Sequence, residues 1–103
     1  MGATPAETAR EMFRDLADDC RRVGTNAANS LILDLSFRSI EEGDYRDLKS
    51  SIGAGLVDMA HEEFSGAGLP STVAEALGLA AEESFHDQLT KLEAAGIGRG
   101  GAA

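Results

Sequence analysis

Apolar residues recur at intervals of three and four along almost the whole of this 103-residue chain. That spacing places them on one face of an α-helix, whereas a half-buried strand requires strict alternation. Glycines and one Gly/Pro-rich stretch interrupt the pattern and divide it into segments. We therefore predict an all-α protein, a small up-down bundle of about four helices at residues 5–23, 26–42, 45–65 and 72–95.

Residues with known capping preferences mark the ends of these predicted helices. Thr4 is suited to cap the first helix, with Pro5 at its first position, where a missing N–H costs nothing. Gly24 is placed to end that helix, and Gly96 to end the fourth, because glycine readily adopts the left-handed conformation of a helix stop. Thr72 has the spacing of a capping box and predicts the start of the fourth helix.

The second and third predicted helices indicate how the bundle packs. Segment 26–42 is apolar around most of its circumference, which is typical of the central helix of a bundle. Its stretch 33–37 alternates, so a short strand is the alternative there, although no second strand is available to pair with it. Gly53 and Gly55 lie inside the third helix, where two glycines indicate close contact with a neighbouring helix.

The composition limits the chain to one small domain. Hydrophobic residues make up 43% of the sequence, but 17 of them are alanine, so the core is thin. Small side chains also let helices approach closely. We expect residues 1–97 to form a single helical domain and residues 98–103 to form a small-residue C-terminal tail.

Acidic residues dominate the charge, with 18 Asp and Glu against 9 Lys and Arg, a net −9. Residues 44–96 alone sum to −7, so the acid accumulates toward the C-terminal half. Such a surface repels phosphate backbones and anionic lipid, and we expect no direct nucleic-acid or membrane binding. Its natural partners are basic protein surfaces or further copies of the chain. The candidate partner-binding residues are Glu62, Glu63, Glu82, Glu83 and Asp87.

A metal-binding bundle is the first alternative. Two Asp/Glu-x-x-His motifs lie in the last two predicted helices, and that spacing puts an acid and a histidine on one helical face. Ferritin-like di-metal bundles supply their ligands in this way. The two motifs would meet only if the fourth helix breaks near Gly78 or if two chains associate, so we predict no firm metal site and no cofactor. The alternative ligands are Asp58, His61, Glu62, Glu83 and His86.

Segment 72–97 supplies a second alternative. Residues 73–79, with a glycine at the turn position, and residues 89–97 resemble the helix-turn-helix readout segment of small winged-helix regulators. The resemblance covers 26 of the 103 residues and implies a degenerate DNA-reading regulator. Glu82, Glu83 and Asp87 would lie on its recognition face, where carboxylates repel DNA phosphates. This alternative therefore ranks below the metal site.

The sequence shows no residue set typical of a catalytic site. Its G-x-G fragments follow no predicted strand and lack a P-loop lysine, and no serine lies in a nucleophile elbow. Cys20, the single cysteine, excludes an internal disulfide and falls on the apolar stripe of the first helix. A buried, inert thiol is expected there.

The chain carries no charged-then-apolar leader, and its longest apolar run is three residues, at 31–33. These observations predict a cytoplasmic protein, or a component of a particle assembled inside the cell. We expect a non-enzymatic protein that acts through protein–protein contacts. It would serve as a self-associating or adaptor subunit of a larger assembly, such as a phage-like particle, or as an acidic regulator of a basic target surface.

Overall fold

The computed structural model describes residues 4–36 and 40–96. Within them the chain forms three α-helices, α1 (Pro5–Leu35), α2 (Glu42–Gly66) and α3 (Ser71–Ala94). The all-α prediction is confirmed for these residues. The prediction of about four helices is wrong, because the first predicted helix and most of the second form the single helix α1. The predicted tail at 98–103 lies outside the described residues.

The start of α1 is the one predicted from the sequence. The Thr4 side-chain oxygen accepts a hydrogen bond from the Glu7 backbone N–H at 3.2 Å, and Pro5 occupies the first helical position. This arrangement satisfies one of the N–H groups that a helix leaves free at its start. The far end of α1 excludes the alternative strand, since residues 33–35 are helical and Phe37 is outside the described part.

Gly24 does not end a helix but lies inside α1, at a point where the backbone of α3 packs directly against it. A Cβ built on Gly24 would overlap the Ala81 carbonyl oxygen and lie 3.0 Å from the Phe85 backbone nitrogen. The glycine is therefore required by the close approach of two helix backbones, and its helical conformation lets α1 continue to Leu35.

The turn between α2 and α3 closes with a Schellman motif at the stretch predicted to be a loop. Gly68 has a φ of 94°, in the left-handed region that favours glycine. The Leu69 N–H donates to the Phe64 carbonyl at 3.0 Å, and the Gly68 N–H donates to the Ser65 carbonyl at 3.1 Å. These two bonds satisfy carbonyls that the end of α2 leaves free.

The two ends of α3 agree with the sequence to different degrees. The helix begins at Ser71 after Pro70 at the N-cap, without a side-chain cap, so the predicted capping box at Thr72 is wrong. Gly96 follows the end of α3 with a φ of 72°, as predicted. The helix runs unbroken through Gly78, so the turn required by the helix-turn-helix resemblance is absent from this segment.

The central helix is α3, which corrects the prediction that segment 26–42 would be central. Both α1 and α2 pack along α3, and they scarcely touch one another. Leu33 of α1 is 63% exposed, so that stretch has a solvent face despite its apolar composition. Small residues let α3 bury two sides at once, since a Cβ on Gly78 would lie 2.9 Å from the Val57 Cα. The largest fully buried side chains are Tyr45, Phe85, Leu35, Leu77 and Leu89.

Contacts between the helices fix their directions. Along α1 and α3 the contacts ascend together, from Gly24 beside Ala81 to a hydrogen bond of 2.9 Å between Asn29 and Gln88, so these helices are parallel. The α2 helix is antiparallel to α3, because its start lies beside the end of α3. There the Tyr45 hydroxyl donates to the Glu93 carboxylate at 2.6 Å.

Candidate functional site

An open apolar groove runs between α1 and α2, because the two helices straddle α3 without closing on each other. Ala81 of α3 lies on its floor. The groove holds about 280 Å³ of open space. Its walls are lined from α1 by Leu16, Asp19, Cys20 and Val23, and from α2 by Leu56, Met59, Ala60, Glu63 and Phe64.

A second apolar hollow continues from the groove toward the start of α1. It is formed by α1 together with Leu69 and Val73, and it holds about 250 Å³. Leu16 lines both hollows, so the apolar surface is continuous along this side of α1. The α1 residues of the second hollow are Ala9, Met12, Phe13 and Leu16.

Large hydrophobic side chains are exposed along these two hollows. Val23 is 51% exposed at one wall of the groove and Met59 is 61% exposed at the other. Met12 and Phe13 are exposed beside the second hollow. Contiguous apolar surface of this kind is characteristic of contact sites on proteins, whereas single exposed hydrophobic residues are ordinary.

Carboxylates are the charged groups of the groove. Asp19 stands on the α1 wall and Glu63 on the α2 wall, and no lysine or arginine lines the groove in the described part of the chain. Asp19 also pairs with Arg22 at 3.2 Å, but both side chains are well exposed. Such a pair contributes little to stability and can exchange for another cation.

Cys20 also lines the groove and is buried, as the sequence predicts. Burial raises the pKa of its thiol, and the negative charges of Asp19 and Glu63 raise it further, against a smaller opposing effect of Arg21. The thiol is therefore protonated at neutral pH, and a protonated thiol is a poor nucleophile.

The candidate acidic residues do not all lie in one cluster. Glu63 lines the α1–α2 groove, while Glu82 of α3 does not line it and packs against α2 at Gly53, with its carboxylate 3.2 Å from the position that a Cβ on Gly53 would take. From the antiparallel contact of Gly78 with Val57, the helical rise separates Glu62 from Glu82 by roughly 13–14 Å along the axis. Glu62, Glu83 and Asp87 are exposed.

The two acid–histidine motifs also lie at different levels. The His86 ring packs over α2 at Gly53 and edge-on to Phe85, with ring centroids 5.2 Å apart. His61 is exposed, eight residues beyond Gly53, which corresponds to about 12 Å along α2. Within residues 4–36 and 40–96, no three His, Cys, Asp or Glu side chains are placed to hold a metal ion.

The glycine pair predicted to mark close helix contact is half confirmed. Gly53 meets the side chains of His86 and Glu82, but nothing lies within 4 Å of a Cβ built on Gly55. The groove itself was missed from the sequence, because its lining residues belong to the same periodic stripes as the core. The sequence alone does not distinguish an apolar residue that another helix covers from one, such as Met59, that stays exposed.

The described helices include none that combines the length and the apolarity needed to cross a bilayer. The chain matches no protein-family model, and comparison with curated proteins and with solved structures finds no significant match.

Proposed function

We propose that this chain is a non-enzymatic helical protein that acts through protein–protein contacts, as a self-associating or adaptor subunit of a larger assembly. The supporting observation is the open groove between α1 and α2, whose apolar walls carry exposed side chains such as Val23 and Met59. Covering such a surface removes apolar area from water, which is the main favourable term in protein association.

The chemistry of the groove favours contact over catalysis. Cys20 is the groove's nucleophile by residue type, but the raised pKa of its thiol opposes formation of the reactive thiolate. Asp19 and Glu63 attract cationic groups electrostatically, and this attraction requires no chemical reaction. We propose no catalytic residue and no cofactor.

The acidity of α2 and α3 supports a second part of the proposal, that the target surface is basic. A net charge of −9 creates a long-range field that speeds the approach of a cationic surface and slows that of nucleic acid. In this arrangement Glu62, Glu82, Glu83 and Asp87 steer the approach, while the groove makes the contact. The chain would then act as an acidic regulator or adaptor inside the cell.

Site-specific photo-crosslinking tests the proposal. A photoreactive amino acid replaces Met59 at the groove, and in a matched variant it replaces Leu79, which is 47% exposed and lines neither hollow. We expect discrete protein adducts from position 59 in cells that produce the protein, and few from position 79. The adduct mass separates a second copy of this 10.7-kDa chain from a different protein. Equal or absent crosslinking at both positions would contradict the proposal.

A further inference from the structure

We infer that the groove between α1 and α2 receives a basic amphipathic helix of another protein, with its apolar side chains on the groove floor and its lysines or arginines beside Asp19 and Glu63. This inference rests on the proposed function and names the class of partner. It follows from the shape of the groove, from the sign of its charges and from the charges of the chain's own helices.

The apolar surface has the dimensions of a helix-binding groove. It extends along α1 from Ala9 to Val23, which corresponds to about 21 Å at the rise of an α-helix. A helix of about four turns covers that length and presents apolar residues at i, i+3 or i+4 and i+7. Along the groove itself such a helix would lie between α1 and α2 with α3 beneath it, in a four-helix arrangement.

The charges at the groove favour a cationic helix as its partner. Asp19 and Glu63 stand on opposite walls, so they would flank a docked helix on both sides. The charged residues of the described lining are both carboxylates, although Arg22 pairs with Asp19 from beside the groove, so acidic flanks on the partner would be disfavoured there. An anionic lipid surface is disfavoured for the same reason.

A second copy of this chain does not supply the required helix. The formal charges within α1, α2 and α3 sum to −2, −4 and −4, so every described helix is net acidic. Four arginines lie on α1, but Arg10 and Arg14 alternate with Glu7 and Glu11 on an exposed face. The basic helix must therefore come from a different protein.

Two synthetic peptides of about 18 residues test the inference with the full chain. Both carry leucines at helical spacing, and their polar flanks are all lysine in one and all glutamate in the other. By fluorescence anisotropy we expect the lysine peptide to bind at least about tenfold more tightly than the glutamate peptide. Its affinity falls between about 50 mM and 500 mM salt, as the screening length shrinks from roughly 14 Å to 4 Å.

Two charge-reversed variants locate the contact. Asp19→Lys with Glu63→Lys reverses the charges of the groove. Asp47→Lys with Glu75→Lys makes the same change in net charge at exposed positions that line neither hollow. At physiological salt we expect the groove variant to bind the lysine peptide at least about tenfold more weakly than the unaltered chain does. The control variant should lose less than about threefold in affinity. Circular dichroism confirms that both variants keep their helices.

Equal affinity for the two peptides, or equal weakening by the two variants, would overturn the inference. If neither peptide binds while Met59 still crosslinks to a protein, the occupant has a different chemistry and only the inference fails. If Met59 gives no adduct beyond the Leu79 control, the proposed function itself fails.

Discussion

Gly24 of α1 lies directly against the backbone of Ala81 in α3, closer than any side chain would allow. The contact involves backbone atoms on the α3 side, which cannot move aside as a flexible side chain can. It sets the separation of α1 and α3 at the point where they cross, and through α3 it also sets the geometry of the groove.

Gly24→Ala is therefore expected to destabilise the protein. The added methyl group must push α1 away from Ala81, and overpacking of this kind costs about 1–3 kcal/mol, more than the gain in helix propensity returns. Urea denaturation followed by circular dichroism measures the change.

Gly55→Ala is the matched control, since it lies inside α2 with nothing within 4 Å of the added Cβ. There only the propensity gain remains, so we expect stabilisation by about 0.5–1 kcal/mol. Opposite signs for the two substitutions support the crossing at Gly24. A stabilising Gly24→Ala would show that α1 and α3 do not approach as described.

The sequence predicted local features of this fold better than long-range ones. Thr4 and Gly96 act as predicted because a cap depends on neighbouring residues alone. Gly24 was misassigned because a glycine at a helix crossing and a glycine at a helix end have the same sequence surroundings. What distinguishes them is Ala81, more than fifty residues away.

The candidate site was harder to predict, again because it depends on how residues far apart in the sequence pack together. The acidity of the chain was evident, but whether Glu63 of α2 and Glu82 of α3 come together depends on how those two helices are rotated and aligned against each other. The apolar stripes predicted burial for Met12, Val23 and Met59 alike. Their exposure follows from the gap between α1 and α2, which three-residue and four-residue spacing does not report.

Leu35 and Leu33 provide a test of the orientation of α1. Leu35 is fully buried and Leu33 is 63% exposed, although they are two residues apart. Leu35→Ala should cost about 2–5 kcal/mol as a core truncation. Leu33→Ala should change the free energy of unfolding by less than about 0.5 kcal/mol. Similar costs for both would mean that α1 is rotated relative to its described position.

Tyr45 joins the start of α2 to the end of α3. Its hydroxyl donates to the same Glu93 carboxylate oxygen that Lys49 approaches at 3.2 Å, and the Lys49 ammonium lies 4.6 Å from the Tyr45 ring centroid. Tyr45→Phe keeps the ring but removes the donor, which should cost about 1 kcal/mol in urea denaturation.

A double-mutant cycle of Tyr45→Phe with Glu93→Gln isolates this hydrogen bond from the packing of the ring. We expect a favourable coupling between the two side chains. Tyr45→Ala, which also removes the buried ring, should cost about 3–5 kcal/mol. A neutral Tyr45→Phe would contradict the described contact.

The alkylation rate of Cys20 should respond to pH differently in the folded and unfolded chains. Burial and the neighbouring Asp19 and Glu63 raise the pKa of the thiol in the folded protein, so its thiolate forms at higher pH than in urea. Between the two pKa values the unfolded chain binds fewer protons, and stability falls as the pH rises through that window.

Iodoacetamide labelling across pH measures both effects, because the chain has one cysteine. We expect the midpoint of the rate profile to lie higher for the folded chain. Asp19→Asn should lower that midpoint by removing one of the negative charges that raise it. Superimposable profiles for folded and unfolded protein would show that the thiol is not buried.

The position of α3 between α1 and α2 has a consequence for how the protein forms during synthesis. Of the three helices, the one on which the other two pack emerges last from the ribosome. Isolated helices gain little stability in water, so α1 and α2 have no lasting partner until residues 71–94 follow them. Folding therefore begins late, and while translation continues the apolar stripes of both helices are available to chaperones.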